Sequence, residues 1–396
     1  MRVLHVTPYF APAFGYGGPP RSVLGLCRAL QQTGVAVRVF TTTANGADEL
    51  PSSTAEADQY DGVPVRYFPR AFPRRFFGAA GLRAALDAAT RDYDLLHIHG
   101  LWNLPAWIAA RYARSVGMPY VLSPRGMLQP GALALRRVRK QIAYPTVERR
   151  NLTGAALLHA TSAAEAQALA QQQFGVKIVT VPNGVELPPD EQPARGSFRQ
   201  KLGLTQPSDA PLIVFLGRVH PIKRLDLLAA AFDRVRVVGP RAHLAIAGPS
   251  EAAYRRSIEP LFSDARDHVH WIGEVDEAQK WSLLGDADVL VLCSASENFG
   301  MSVAEAMAAG VPVVVTRTCP WEDVERHACG VWVASDPDAI ARGIVTIIDN
   351  PSWAKEMGAR GRALIRDRYS WTAVAHAMAD CYAGVARRRI ASAATP

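Results

Sequence analysis

Residues Val289-Leu290-Val291-Leu292-Cys293-Ser294-Ala295-Ser296-Glu297-Asn298-Phe299-Gly300-Met301-Ser302-Val303-Ala304-Glu305-Ala306-Met307-Ala308-Ala309-Gly310-Val311-Pro312 decide how the whole chain is read. The apolar run Val289–Leu292 is a buried strand by its pattern. A polar loop, Ser294–Ser296, leads into a helix that opens after Gly300. Two carboxylates eight residues apart, Glu297 and Glu305, are thereby separated by a loop and a helical turn. Gly300 permits close backbone approach, and the free N–H groups at a helix start favour an anion. Taken alone, Glu305 reads better as a surface carboxylate complementing the helix dipole.

The strand–loop–helix unit repeats in both directions. Downstream of residue 210, strands are expected at Leu212–Leu216, His243–Ala247, Val269–Trp271, Val289–Leu292, Val313–Val315 and Gly330–Val333, with helices between. Upstream, strands at Val3–Val6, Val35–Thr41, Leu95–His99, Tyr120–Leu122, Ala156–His159 and Lys177–Val181 alternate with helices at Pro20–Gln32, Gly81–Thr90, Pro105–Val116, Leu133–Arg150 and Ala163–Gln172. Such alternation implies parallel sheets covered on both faces. The Pro- and Gly-rich segment Pro182–Gly196 reads as a linker. The expectation is an α/β chain of two doubly wound domains, residues 1–187 and 188–370. A last helix, 371–396, is expected to pack back toward the first domain. Ligands of such sheets bind outside the carboxyl ends of the strands.

The chain has 396 residues, 49% of them apolar and 20% charged, as in an ordinary soluble enzyme. No stretch approaches the ~20 apolar residues of a spanning helix. The apolar run at the N-terminus is too short for a signal peptide. Five scattered cysteines have neither zinc spacing nor a disulfide framework, so a reducing cytosol is expected. The net charge is +8, and residues 1–190 carry all of it, with 20 Lys+Arg against 12 Asp+Glu. That asymmetry suggests an anionic partner for the first half. No nucleic-acid-binding module is present in the pattern, so nucleic acid is not expected.

Other motifs carry candidate chemistry. In Gly217-Arg218-Val219-His220-Pro221-Ile222-Lys223, a strand turns toward a helix, and Arg218 and Lys223 can converge on a diphosphate as fork and point charge. Gly15, Gly17 and Gly18 precede a helix in a turn suited to close approach by phosphate or sugar. His97 and His99 alternate onto one face of a strand, but no third metal ligand is near in sequence. Asp-x-Asp pairs at Asp92/Asp94, Asp286/Asp288 and Asp336/Asp338 read as turn and strand-entry positions, and no metal is expected.

The string Glu297–Glu305, with its continuation Ala309–Val313, resembles the glutamate–seven–glutamate motif of the retaining glycosyltransferases of family 4, which have the GT-B fold. Gly217-Arg218 through Lys223 is similar to the same family's diphosphate-holding motif. The resemblance covers nearly the whole chain and is most specific from Gly217 to Val313. It implies two Rossmann-like domains facing across a cleft. It also implies transfer of a hexose from a nucleotide diphosphate sugar to a hydroxyl acceptor, with retention at the anomeric carbon. On that resemblance, Glu297, Arg218 and Lys223 are the catalytic set. Glu305 would meet the ribose, and Phe299, Gly300 and Met301 the sugar. Val275 would meet the base, and Gly17 and Gly18 would face the donor. His99 and Asn103 would line the acceptor side, with His97 structural. Many relatives carry a histidine where this chain reads Val121-Leu122-Ser123-Pro124-Arg125. Arginine accepts no proton at pH 7, which leaves Arg125 to stabilise a diphosphate or meet an acidic acceptor.

No cofactor is implied, since the nucleotide sugar is a substrate. A saccharide or lipid-linked saccharide of cell-surface polysaccharide synthesis is the expected acceptor. The alternatives are a GT-B phosphorylase or epimerase, or a non-catalytic sugar-nucleotide-binding protein. The stretch Arg66-Tyr67-Phe68-Pro69-Arg70-Ala71-Phe72-Pro73-Arg74-Arg75-Phe76-Phe77 mixes cations with aromatics, and Arg136-Arg137-Val138-Arg139-Lys140 adds a further basic run. Such a mixture suits an anionic membrane surface, so peripheral attachment to the inner face of the plasma membrane is the expectation for an otherwise cytoplasmic protein.

Overall fold

In the computed structural model, which describes residues 1–129, 147–190, 196–204 and 210–393, the alternating pattern produces two parallel sheets. The chain divides into two compact units, Met1–Gly184 with Trp371–Pro396, and Val185–Ser370. The division falls three residues before the sequence-based boundary. Val185 donates its N–H to Tyr369 O at 2.8 Å and is buried in the second unit's core, so it is not part of a linker.

In the first unit the strands are β1 (Arg2–Val6), β2 (Ala36–Thr42), β3 (Gln59–Tyr60), β4 (Val63–Phe68), β5 (Leu95–His99), β6 (Tyr120–Ser123), β7 (Leu157–Ala160) and β8 (Ile178–Thr180). They lie in the order β8-β7-β6-β5-β1-β2-β4-β3, all parallel except the short β3. Period-two alternation splits the core between the faces. Val3, Leu95 and Val121 join one apolar cluster, while their neighbours Leu4, Leu96 and Leu122 join the other. Helix α1 (Gly18–Gln32) covers the first face together with the last helix of the chain, α8 (Trp371–Ala393). From that helix Val374, Ala375, Met378, Tyr382 and Val385 enter the core. Helix α2 (Leu104–Ser115) covers the second face, and α3 (Ala163–Ala170) follows β7.

In the second unit β9 (Leu212–Leu216), β10 (His243–Ala247), β11 (Val269–Gly273), β12 (Val289–Leu292), β13 (Val313–Thr316) and β14 (Gly330–Val333) lie in the order β11-β10-β9-β12-β13-β14. All are parallel, and Ile213 sits opposite Val289 where the order reverses. Helices α4 (Leu225–Val238), α5 (Glu277–Asp286) and α6 (Met301–Ala308) lie between strands, and α7 (Pro337–Ile348) follows β14. In each unit the crevice of an open sheet opens at that reversal: between β1 and β5 in the first, and between β9 and β12 in the second.

Two expectations change. Strand β4 was not anticipated, because Pro64 and Arg66 interrupt its apolar run. Its core-facing residues Val63, Val65 and Tyr67 nevertheless alternate inward, and Phe68 is buried on the other face. Tyr67 and Phe68 are therefore core, not part of a surface stretch. Beyond them the chain forms a small hairpin, Arg70–Ala71 with Gly78–Ala79, and Phe72 at its turn is 92% exposed. The helix expected at Leu133–Arg150, with Arg136, Arg137, Arg139 and Lys140, lies outside the described residues except for its end.

Candidate active site

The second unit's crevice is built by the loops leaving β9 and β12. After β9 the backbone crosses Gly248 so closely that a Cβ there would lie 2.0 Å from Gly217 O. Gly217 itself sits at φ 154°. A Cβ on Gly217 would make only ordinary contact with Lys223, Cε at 3.7 Å and Nζ at 3.9 Å, so the backbone conformation and not crowding favours glycine there. His220 caps the single turn Pro221–Lys223 by accepting from Ile222 N at 3.2 Å. Ile222 O then accepts from Ala295 N at 2.7 Å, tying this loop to the one after β12.

Across that tie Lys223 Nζ pairs with Glu297 Oε1, which also accepts from Ser294 Oγ at 2.7 Å. Both side chains of the pair are about 15% exposed. Arg218 is exposed and has no side-chain partner among the described residues. Gly300, at φ 84°, enters α6, whose start carries no side-chain cap. A Cβ on Gly300 would press against Trp321 Nε1 at 3.1 Å and Leu292 at 3.2 Å. Trp321 donates to Phe299 O and packs at a tilt against the Phe299 ring, fixing the loop that presents the free N–H groups of Met301 and Ser302. One turn along α6, Glu305 pairs with Lys280 of α5 at 2.9 Å.

Helix α5 starts directly after Val275 with a capping box of Asp276 and Gln279. The loop thus gathers Arg218, Lys223, Glu297, Ser294, the α6 N-terminus and Glu305, with Val275 at the head of the adjoining helix. Cations, helix N–H groups and paired carboxylates around one crevice can hold a diphosphate and take up charge growing on it. Sequence reading missed Lys280, although a signal was present: it lies on the helix face of Leu283 and Leu284, where a lysine has no apolar reason to be.

The first unit's crevice holds a buried polar network instead. Arginine only donates, so Arg125 Nη2 donates to His99 Nδ1 at 3.0 Å. His99 therefore carries its proton on Nε2 and gives it to His5 Nδ1, also at 3.0 Å. On the other branch His159 Nε2 donates to Val181 O at 2.8 Å, which leaves its Nδ1 to accept from Ser123 Oγ at 2.6 Å. Ser123 accepts in turn from His97 Nε2 at 2.6 Å, and His97 Nδ1 accepts the Tyr382 hydroxyl at 2.5 Å. Burial, reinforced by the Arg125 charge, pushes His5 and His159 down to about 3. Burial and the neighbouring rings hold His97 well below its usual value, and burial and Arg125 do the same for His99. His5, His97 and His99 each bring a ring nitrogen within 4.8 Å of the others. Their lone pairs are spent on Arg125, His99 and Tyr382, so they do not converge on an ion.

Arg125, at φ 57°, also donates to Asn183 Oδ1 at 2.9 Å. Asn103, a candidate for the acceptor side, lies at the start of α2. It is buried, caps α2 by accepting from Ala106 N at 2.9 Å, and donates to Leu101 O at 3.1 Å, so it shapes its own loop. Gly17, at φ 91°, and Gly18 open α1 with nothing within 4 Å of an added Cβ. At least one aspartate of each Asp-x-Asp pair is committed to a protein group. Asp286 accepts from Phe198 N at 2.7 Å, Asp288 pairs with Arg199 at 2.6 Å, Asp94 accepts from Arg2 N at 2.7 Å, and Asp336 caps α7.

Comparison with known proteins gives a consistent picture. The family model described as "Glycosyl transferases group 1" matches residues 198–364, and the "Glycosyl transferase 4-like domain" model matches residues 17–184. A D-inositol 3-phosphate glycosyltransferase of Xylanimonas cellulosilytica is 29% identical over 98% of this chain and 97% of its own. A D-inositol 3-phosphate glycosyltransferase 2 of Catenulispora acidiphila is 30% identical over 96% of this chain and 93% of its own. Among solved structures, HepE of Anabaena in complex with UDP and glucose superimposes with a TM-score of 0.74 at 19% identity, covering 97% of this chain and all of that one.

Proposed function

The chain belongs to the group 1 glycosyltransferases of family 4, with the GT-B fold, and we propose that it moves a hexose from a nucleotide diphosphate sugar to a hydroxyl acceptor with retention and without a metal. The observation that carries this reading is the Lys223–Glu297 pair beside the open N-terminus of α6, with Arg218 exposed on the same loop. Arg218, Lys223 and the α6 N–H groups stabilise charge on the departing diphosphate. Glu297 and the backbone at Phe299–Met301 hold the sugar, Glu305 the ribose, and Val275 the base. No side chain is assigned as nucleophile, and a donor phosphate oxygen takes the acceptor proton. His99, Asn103 and Arg125 belong to the acceptor side.

The acceptor in this reading is a saccharide or lipid-linked saccharide of cell-surface polysaccharide synthesis. Screening nucleotide sugars against soluble saccharides and membrane extract, with proton NMR of the product anomer, tests it. Product with the donor's anomeric configuration, formed equally in excess EDTA, is expected. An inverted product refutes retention, and loss in EDTA with rescue by magnesium refutes metal independence. Phosphate-dependent release of sugar phosphate would mark a phosphorylase.

The hairpin tip supports peripheral contact with an anionic membrane. Phe72 stands in solvent between Arg70 and the exposed Arg74 and Arg75, and Arg75 lies over the Phe76 ring at 4.8 Å. Arg70 is less available, since it donates to the backbone oxygens of Gly46 and Arg74. In vesicle co-sedimentation, binding should need anionic lipid and fall with salt. Phe72→Ser with Arg75→Gln should weaken it on the order of a hundredfold, from about 1 kcal/mol per cation and ~2 for a buried ring. Equal recovery on neutral and anionic vesicles at low salt refutes this contact.

A further inference from the structure

Lys280 is 8% exposed, on a helix face shared with Leu283 and Leu284. Its Nζ lies 2.9 Å from Glu305 Oε1 and 2.7 Å from Glu277 Oε2. Burying an ammonium is costly unless it is paired and hydrogen-bonded. Burial lowers the lysine's pKa, but the Glu305 and Glu277 carboxylates more than reverse that and leave it raised, so the ammonium stays charged. Glu305 is thereby held from one side only. Oε1 faces the lysine, while Oε2 has no hydrogen-bond partner among the described residues. A glutamate on an exposed helix turn samples several rotamers, whereas one clamped through one oxygen presents the other in a fixed direction.

We propose that Lys280 is a positioning residue for nucleotide recognition: it aims Glu305 Oε2 at the ribose hydroxyls of the donor. The inference rests on the reading that Glu305 meets the ribose. Helix α5 gives the arrangement a second consequence. Its capping box fixes the turn immediately after Val275, and Lys280 reaches Glu305 five residues later on the same rigid element. The groups for base and ribose are therefore set relative to each other by a single helix. Ribose discrimination depends on an amine that itself stays out of reach of the ligand.

The test separates this role from a general contribution to folding. UDP, GDP and ADP are titrated calorimetrically against the native chain, and the tightest is carried forward with its 2′-deoxy and 3′-deoxy forms. The readout is the ratio of deoxy to ribo dissociation constants, which a loss of folded fraction does not move. The native ratio should be about tenfold or more, the size of a hydrogen bond to a charged group. Glu305→Ala should bring it to about one. Lys280→Met should lower it at least threefold, while Lys280→Arg, which keeps the charge, retains most of it. A native ratio in Lys280→Met beside a lost ratio in Glu305→Ala overturns the positioning role. A native ratio in Glu305→Ala instead removes the ribose reading beneath it.

Discussion

Lys223→Ala is expected to lower kcat/KM by about 10²–10³-fold, the loss seen when one preorganised donor to developing charge is removed. Two effects add in this variant. The diphosphate loses its point charge, and the Glu297 carboxylate, about 15% exposed, is left with Ser294 Oγ as its one partner among the described residues. A stranded carboxylate where a diphosphate must sit repels the ligand as well as failing to hold it. Glu297→Ala acts in the opposite electrostatic sense. It frees Lys223 for the diphosphate, so nucleotide affinity should hold or rise while turnover falls through loss of the sugar contact. The double variant should then cost less than the two singles together, because the pair acts as one unit. Calorimetry with the nucleotide diphosphate and steady-state kinetics with the sugar donor separate these outcomes. Equal weakening of nucleotide binding by both single variants would show that the pair is a structural clamp and that the diphosphate lies elsewhere.

That pair was legible in the sequence as two separate motifs, and the physical reason lies in the strand order. Gly217–Lys223 follows β9 and Glu297–Gly300 follows β12. A doubly wound sheet puts its reversal between those strands, so loops 74 residues apart meet there. The same rule places β1 beside β5, and with it His5 beside His97. A lone histidine inside Leu4-His5-Val6 gives no local sign of that neighbour. Tyr382 was further out of reach, since its partner lies 285 residues away and depends on where the last helix packs. Periodicity misjudged β4 for a different reason. Next to the sheet edge, β4 is covered on its outer side only by the two residues of β3, so it tolerates Pro64 and an outward Arg66 without ceasing to be a strand, and the aromatic run that resembled a surface patch is half core. Of its aromatic rings only Phe72, at the turn beyond it, keeps the exposure expected of the whole stretch.

The four buried histidines are expected to make the first unit lose stability in acid well above the pH at which carboxylates protonate. In the folded state His5 and His159 titrate only near 3, and His97 and His99 are also held well below normal, with burial the leading cause for each. In the unfolded chain each titrates near 6.5. Above that pH both states are neutral at these rings and nothing is lost. As pH falls through 6.5 the unfolded chain takes up protons that the folded unit cannot, so stability declines. The limiting slope is about 1.4 kcal/mol per pH unit for each ring. Four rings acting together remove on the order of 5 kcal/mol by pH 5.5, a large share of an ordinary domain's stability. Arg125→Gln should recover little of this, because desolvation outweighs the guanidinium charge for every one of the four, and it leaves His99 Nδ1 with a weaker donor. Hydrogen exchange read by mass spectrometry on peptides from each unit provides the measurement. Residues 1–184 should lose protection between pH 7 and 5.5, and the fall should be steeper than for residues 185–370, where the comparable ring is the partly exposed His243, lowered to about 4 chiefly by burial. Protection of the first unit that stays flat across this range would mean that the rings take up protons in the folded state, and the tautomer chain from Arg125 through His99 to His5 would be wrong.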